Sequence, residues 1–537
     1  MKLRYFLSAA VAALALLPHA VHAVTTNDAA AIIAQHATYV GAPQGLVLTY
    51  RYVPDVKASP TPRPAPSASA SPEPAWPRTR TIYRRGALYH EVREASGIHE
   101  EEGFTGRAFW SSDEHGYTVV DLEDAARNLL TDNLVEADLL SGADARVVGS
   151  KTIGGIATDV VRVTPQEGVP ADVAIAHDGA YVAITFDPDH GGEPVYIDGY
   201  TDAAPGVRVQ SGYHIGGQHG KWVLAEHAVR AVTNDDLRGP VPSATWDYAS
   251  QDTSPIDIFE YQTAYGFLPR GQAVHVPASI NGHTGTFLLD SGASGILLYR
   301  PYADKLGLTL LGPTGYSGVN GGFVSARYAR AASLELGKNT LSNVVVTVSG
   351  AAFDGNDIDG ILGYDFLAGA LVDVDLAKLT IRIMNPSTFE PVVAKGAYAF
   401  PVNLASRTPE ITIKAGTAQT RPIFDTGNAL LAVLSDDLKN SGRLIALNDT
   451  IRVGGAGSFD YQVMAMGVDG PANVPARCSR LNRIEVGPYR YENVETCFGP
   501  ARVFGRDGGL IGFDFLRHFN WTFDYPESKV VLTPNGK

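Results

Sequence analysis

Two stretches in the second half of this chain repeat each other, and that repeat limits the possible fold more than any other feature. TFLLDSGASGILLYRPYADKLGL (286–308) aligns with RPIFDTGNALLAVLSDDL (421–438). In each, an apolar run ends in Asp-Ser/Thr-Gly, a second apolar run follows, and a short helix-like stretch comes next. IDGILGYDFLAGALVDVDLAKLTIRI (358–383) aligns with GGLIGFDFLRHFNWTFDYPESKVVL (508–532). These share Gly, two apolar residues, Gly, an aromatic residue and Asp-Phe-Leu, then a strand, an Asp and a Lys-containing turn. Such self-similarity means two copies of one supersecondary unit. A single Asp-Ser/Thr-Gly is a weak signal, because turns favour Asp and Gly. Two triplets at the same place in a repeat, each followed by the same Gly-bounded apolar pair, make a strong one.

These residues resemble the aspartic peptidase family, in its retropepsin-like and pepsin-like branches. The resemblance covers about residues 265–535. It implies a mostly β fold in which a pair of aspartic-peptidase-like β-barrel lobes occupies 265–390 and 395–537. It also implies that Asp290 and Asp425 are the catalytic pair, with the Ser291 and Thr426 hydroxyls hydrogen-bonded beneath them. Gly292 and Gly427 would let the two turns approach closely. Ile361-Leu362-Gly363 and Leu510-Ile511-Gly512 would be the supporting segments. Both lobes lie in one chain, so a monomer could form the site. No metal or organic cofactor is implied, and the partner would be a peptide or protein substrate.

Peptide hydrolysis explains why two carboxyls are needed. An amide carbonyl is a poor electrophile and water a poor nucleophile. One ionised carboxylate can take a proton from water while a protonated neighbour donates to the carbonyl oxygen. Carboxyls about 3 Å apart cannot both ionise, so the pair shares a proton over a pH window. The expected optimum is acid to mildly acid.

The family also covers its substrate with a Gly-rich hairpin. GPTGYSGVNGGFV (312–324) stands where that hairpin is expected, with Tyr316 as its aromatic residue and Gly318, Gly321 and Gly322 as the glycines that allow positive φ. An ordinary loop fits the same residues. VGGAGSFDYQV (453–463) is the matching hairpin of the second lobe. The first triplet continues Ala293-Ser294, close to the pepsin-like pattern. The second continues Asn428-Ala429, where a hydroxyl often seen in the family is missing.

The first half of the chain reads differently. Residues 1–23 carry Lys2 and Arg4, then a short apolar run, then small residues before a cut at Val24, the pattern of an export signal. The run is too short for a comfortable membrane span. Residues 24–250 read as an accessory α+β domain with an antiparallel sheet. Helices are expected at 26–40 and 121–141, and strands at 45–53, 81–94 and from about 146 to 233. A Pro/Ala/Ser-rich loop at 58–78 interrupts the strands. This half weakly resembles the curved-sheet lipoprotein-carrier fold. Residues 234–265 look like a connection.

The net charge of −14 argues against a sequence-independent grip on nucleic acid or anionic lipid. In an exported protein, periplasmic or secreted, the only two cysteines, Cys478 and Cys497, favour a disulfide over free thiols. Closing so short a loop would stabilise by about 3 kcal/mol in the chain-entropy model. Asp354, Asn356, Asp357 and Asp359 fail the Ca²⁺-loop pattern, since Ile358 holds a ligand position. His214 and His219 lack a third ligand at metal spacing. The reading is therefore an exported aspartic endopeptidase. Two rivals stand beside it: a peptide-binding protein on the same scaffold that does not cut, and an apolar-ligand carrier acting through the N-terminal domain.

Overall fold

The computed structural model describes residues 26–54, 78–106, 108–113, 117–121, 144–164, 170–186, 188, 192–217, 220–238, 244–261, 271–317, 323–349, 358–388, 396–404, 406–440, 446–448, 462–467, 470–475, 477–499 and 508–536. The export signal, nearly all of the Pro/Ala/Ser loop and the expected helix at 121–141 fall outside these residues, except for Asp121 at the end of a strand. The protein is mostly β. It divides into two compact units, Met1–Ser111 with Val120–Pro240, and Ser112–Val119 with Val241–Lys537. Among the described residues no helix is long and apolar enough to cross a membrane.

Among the described residues the first unit holds most of a thirteen-stranded sheet and a helix, Thr26–Val40. The helix lies where the sequence pattern puts it and ends at Gly41 (φ +80°), whose N–H donates to the Ala37 carbonyl at 3.1 Å. A left-handed residue there suits glycine because it has no Cβ. Ala29, Ile32 and Ile33 pack on the sheet core, and the His36 ring stacks on Tyr181 at 3.7 Å. The first strand, Leu46–Pro54, pairs antiparallel with the last, Gly220–Val229. Within the stretch expected as a strand at 81–94, a hairpin forms between Arg78–Arg85 and Leu88–Ala95, with Gly86 at φ +61°.

Three charged residues of that hairpin, Arg80, Arg84 and Glu91, are buried, which its sequence does not announce. Glu91 is wholly buried and receives a two-pronged bond from Arg80 (Nε to Oε1 2.6 Å, Nη2 to Oε2 2.7 Å). Arg93 bridges Glu91 to Glu102. Burial pushes the Glu91 carboxyl up, but the charges of Arg80 and Arg93 and their hydrogen bonds bring it down to about 2.

In the second unit the two repeats fold on one plan. In the first, the short strand Gly360–Leu362 lies between His283–Leu289, to which it is parallel, and Ile296–Leu298, to which it is antiparallel. In the second, Gly509–Ile511 lies in the same way between Ile423–Phe424 and Ala432–Ser435. A short helix follows each triplet, Arg300–Ala303 and Asp436–Asn440. A six-stranded sheet draws on both repeats: Leu371–Asp375 pairs antiparallel with Phe519–Asp524, placing Val374 opposite Trp521. One apolar core runs through these elements, from Phe287 and Leu362 to Phe424, Ile511 and Trp521.

The segment expected to be a connection is part of this unit. Thr245–Asp247 pairs with Asn339–Ser349, Ser254–Pro255 with Thr380–Met384, and Asp257–Tyr261 with Gly271–Ile280. Trp246 and Ile256 sit in its core, Trp246 edge-on to Phe366 at 5.6 Å. Trp246→Ala should therefore lower stability by about 3–5 kcal/mol, the usual cost of emptying an aromatic site. The check is a lower urea midpoint for the second unit.

The Gly-rich stretch after the first triplet forms a hairpin of Thr309–Ser317 and Phe323–Leu336, with Tyr316 opposite Val324. Gly318, Gly321 and Gly322 lie outside the described residues. The hairpin expected at 453–463 is mostly outside them too. The described hairpin there pairs Gln462–Gly467 with Gly470–Pro475, further along the chain.

Candidate active site

Each Asp-Ser/Thr-Gly triplet begins where a strand of its own repeat ends. Leu289 lies opposite Leu362, and the Asp290 N–H donates to the Leu362 carbonyl at 3.0 Å. Phe424 lies opposite Ile511, and the Asp425 N–H donates to the Ile511 carbonyl at 2.9 Å. The chain beyond each supporting strand then threads against the triplet loop. The Tyr364 N–H donates to the Ala293 carbonyl (2.9 Å) and the Phe513 N–H to the Asn428 carbonyl (2.7 Å). Only glycine fits before these two residues. A Cβ on Gly363 would stand 2.4 Å from the Ala293 oxygen, and one on Gly512 would stand 2.2 Å from the Leu430 oxygen.

The two loops meet through their hydroxyls. Ser291 Oγ donates to the Phe424 carbonyl at 2.7 Å and accepts the Thr426 N–H at 3.1 Å. Thr426 Oγ1 donates to the Leu289 carbonyl at 2.7 Å and accepts the Ser291 N–H at 3.0 Å. Both side chains are fully buried. Four buried bonds, two from each repeat to the other, fix the loops relative to one another.

Above these bonds lie the carboxyl groups. The Gly292 N–H donates to Asp290 Oδ1 at 2.9 Å, and the Gly427 N–H to Asp425 Oδ1 at 2.9 Å. The glycines also admit the opposite carboxyl. A Cβ on Gly292 would stand 2.6 Å from Asp425 Cγ, and a Cβ on Gly427 would stand 2.6 Å from Asp290 Cγ. The two carboxyls are within hydrogen-bonding reach of each other.

Burial raises both carboxyls above the ordinary aspartate value. Asp425 goes well above it, because the Asp290 charge and the hydrogen bond between them add to burial. For Asp290, the bond from Asp425 and the backbone N–H groups oppose the rise. The folded protein thus holds a proton that the unfolded chain releases near pH 4. This proton favours the folded state fully below that pH, and the contribution is lost as pH rises toward the folded value. Asp425→Asn should accordingly melt above the wild type at pH 7, with the difference vanishing near pH 3. Thermal melts of the two proteins at both pH values check this.

The residue after the second triplet departs from the first. Asn428 Oδ1 accepts the Leu430 N–H at 3.2 Å, and the Asn428 N–H joins that of Gly427 on Asp425 Oδ1 at 3.1 Å. The missing hydroxyl is thus replaced by an amide that shapes its own loop. Two nearby tyrosines were not singled out from the sequence. Tyr525 stacks on Tyr364 (centroids 5.8 Å apart), and burial, followed by Tyr364 and Asp290, holds its phenol well above the usual value. Its repeat counterpart is Leu376, so a comparison of the two copies would have flagged it.

Elsewhere, strand register sets Cys478 opposite Cys497, and Cys497 is buried. His214 bonds Asp198 at 2.7 Å and stacks on Tyr196; His219 is outside the described residues. The Asp359 carboxylate accepts the Thr286 N–H at 2.9 Å. Among the described residues no group of three His, Cys, Asp or Glu side chains could hold a metal ion.

Comparison with known proteins agrees with part of this picture. Residues 276–366 match the family model for aspartyl protease, and are an aspartic-protease-like region. The match contains Asp290 and Gly363 but stops short of Asp425. The UBA domain-containing protein Mud1 of Schizosaccharomyces pombe (strain 972 / ATCC 24843) is 32% identical over 111 residues, which is 20% of this chain. The aligned part spans about a third of that relative's length, 32%. Among solved structures, a retropepsin-like aspartic protease from Rickettsia conorii is similar at 21% identity and a TM-score of 0.16, over 25% of this chain and 94% of that one. A LolA superfamily protein from Nitrosomonas europaea is similar at 10% identity and a TM-score of 0.28, over 39% of this chain and 97% of that one.

Proposed function

We propose that this protein is an exported, single-chain aspartic endopeptidase whose two repeats are the two lobes of one active site. The observation that carries the proposal is the reciprocal fit of the loops. Each carboxyl occupies the space that the other triplet's glycine leaves free. Asp290 and Asp425 hold one proton between them. The ionised partner takes a proton from a bound water, and the protonated partner donates to the carbonyl oxygen of the scissile amide. The water oxygen attacks the carbonyl carbon, and the amide nitrogen leaves with a proton returned by the pair. Ser291 and Thr426 fix the spacing of the carboxyls, and Gly363 and Gly512 let the supporting segments lie against the loops.

In this reading residues 24–250 are an accessory to the peptidase. A Cys478–Cys497 disulfide ties together Arg477–Val486 and Tyr489–Gly499, the latter parallel to Ala432–Ser435 beside the Asp425 loop. It also fits an oxidising compartment outside the cytoplasm. The test is incubation of the purified full chain with unfolded casein across pH 3–8, with and without pepstatin. Hydrolysis at acid to mildly acid pH supports the proposal, and pepstatin sensitivity places the site nearer the pepsin-like branch. Binding of casein without cleavage at any pH favours the non-cutting rival.

A further inference from the structure

The two repeats differ beneath the catalytic pair. After its supporting glycine the first repeat has Tyr364, and the second has Phe513. After the strands Leu371–Asp375 and Phe519–Asp524, the first repeat has Leu376 and the second has Tyr525. All four side chains are buried. Strand pairing brings the two tyrosines together. Asp524 lies opposite Leu371, and the Tyr525 ring stacks on Tyr364 with the planes 25° apart. Tyr364 in turn donates its N–H to the Ala293 carbonyl of the Asp290 loop. Both phenols are therefore packed on the Asp290 side of the pair.

The Tyr525 hydroxyl is buried and has no hydrogen-bond partner among the described residues. Leaving such a group unpaired costs stability, and a phenylalanine in the same place would avoid that cost. With nothing holding it, the O–H is free to turn its hydrogen toward a negative charge. Asp290 is the carboxylate whose charge acts on this phenol. In a site shielded from water, a dipole turned in this way favours the anion more than it would in solvent.

We infer that Tyr525 is a positioning residue for the shared proton: its hydroxyl, present on one side only, favours a charged Asp290 and so keeps the proton on Asp425. The inference rests on the peptidase reading above. Tyr525 makes no bond to either carboxyl and acts only through the charge on Asp290. The other charged groups around the two tyrosines are Arg407, 6.0 Å from the centre of the Tyr364 ring, Asp365, against Gly295, and Asp524, held by Lys529 at 2.8 Å. None of them is altered in the variants below.

The test is the pH profile of kcat/KM for the full chain on one peptide that the wild type cuts. Removing the hydroxyl in Tyr525→Phe makes a charged Asp290 harder to form. The first ionisation of the pair creates that charge, so it should move up by about half a pH unit to one unit, the scale of one hydrogen bond. The second ionisation leaves Asp290 charged before and after, so it should stay. The acid limb of the bell therefore shifts to higher pH while the alkaline limb keeps its place. Thermal melting should be no lower than in the wild type, since the hydroxyl bonds nothing. Tyr525→Leu, which copies the first repeat, should move the acid limb equally while melting lower, and this separates the hydroxyl from the packing of the ring. An unmoved acid limb, both limbs moving together, or a Tyr525→Phe protein that melts lower overturns the inference and leaves the peptidase reading intact. A wild type that cuts no peptide overturns both.

Discussion

Asp290→Asn and Asp425→Asn are each expected to lower kcat by about 10³-fold or more while the fold persists. The reason is proton supply. An amide oxygen cannot accept a proton from water at working pH, and the amide group cannot relay one to the leaving nitrogen. The shape is almost unchanged. Asn keeps an oxygen to accept the Gly292 N–H (2.9 Å) in one loop and the Gly427 and Asn428 N–H groups in the other. The buried Ser291 and Thr426 bonds do not involve the carboxyls. Circular dichroism should therefore match the wild type, and casein hydrolysis should disappear. A folded variant that retains substantial hydrolysis would refute the shared-proton mechanism.

The second large effect is on stability. Gly512→Ala should destabilise the second unit by about 3 kcal/mol, the upper end of the usual cost of overpacking. The added Cβ would meet the Leu430 oxygen at 2.2 Å and the Asn428 oxygen at 2.4 Å. Both are backbone atoms, so no side chain can rotate away. The Asp425 loop would have to move, since the Phe513 N–H holds the Asn428 carbonyl at 2.7 Å. Gly363→Ala should act in the same way on the Asp290 loop, with the Ala293 oxygen at 2.4 Å and the Gly295 oxygen at 2.5 Å. Urea unfolding measures the loss. Activity should fall further than stability alone predicts, because displacing reacting groups by a fraction of an ångström is costly. A Gly512→Ala protein with wild-type stability and activity would show that the supporting segment is not packed as described.

Much of this site was legible because the repeat states it twice. Asp290 and Asp425, their hydroxyl neighbours and Gly363 and Gly512 occupy equivalent places in two copies, and backbone geometry dictates each glycine. What was not legible depends on contacts far along the chain. Trp246 and Ile256 sit in a stretch too short and too mixed to show strand alternation, and its short strands form by pairing with strands within residues 271–384. Nothing local in the sequence marks Glu91 as buried, because its partners Arg80 and Arg93 and the neighbouring Glu102 are brought alongside only by strand register and side-chain pairing.

The most direct test of the central claim is the pH–rate profile of the full chain on unfolded casein, recorded beside both Asp→Asn variants. One proton shared by two carboxyls predicts a bell with an acid to mildly acid maximum, falling on the acid side as the second carboxyl is protonated and on the alkaline side as the shared proton is lost. Neither variant should show a profile above background. A rate that keeps rising through neutral pH, or a bell that survives in either variant, would contradict the account.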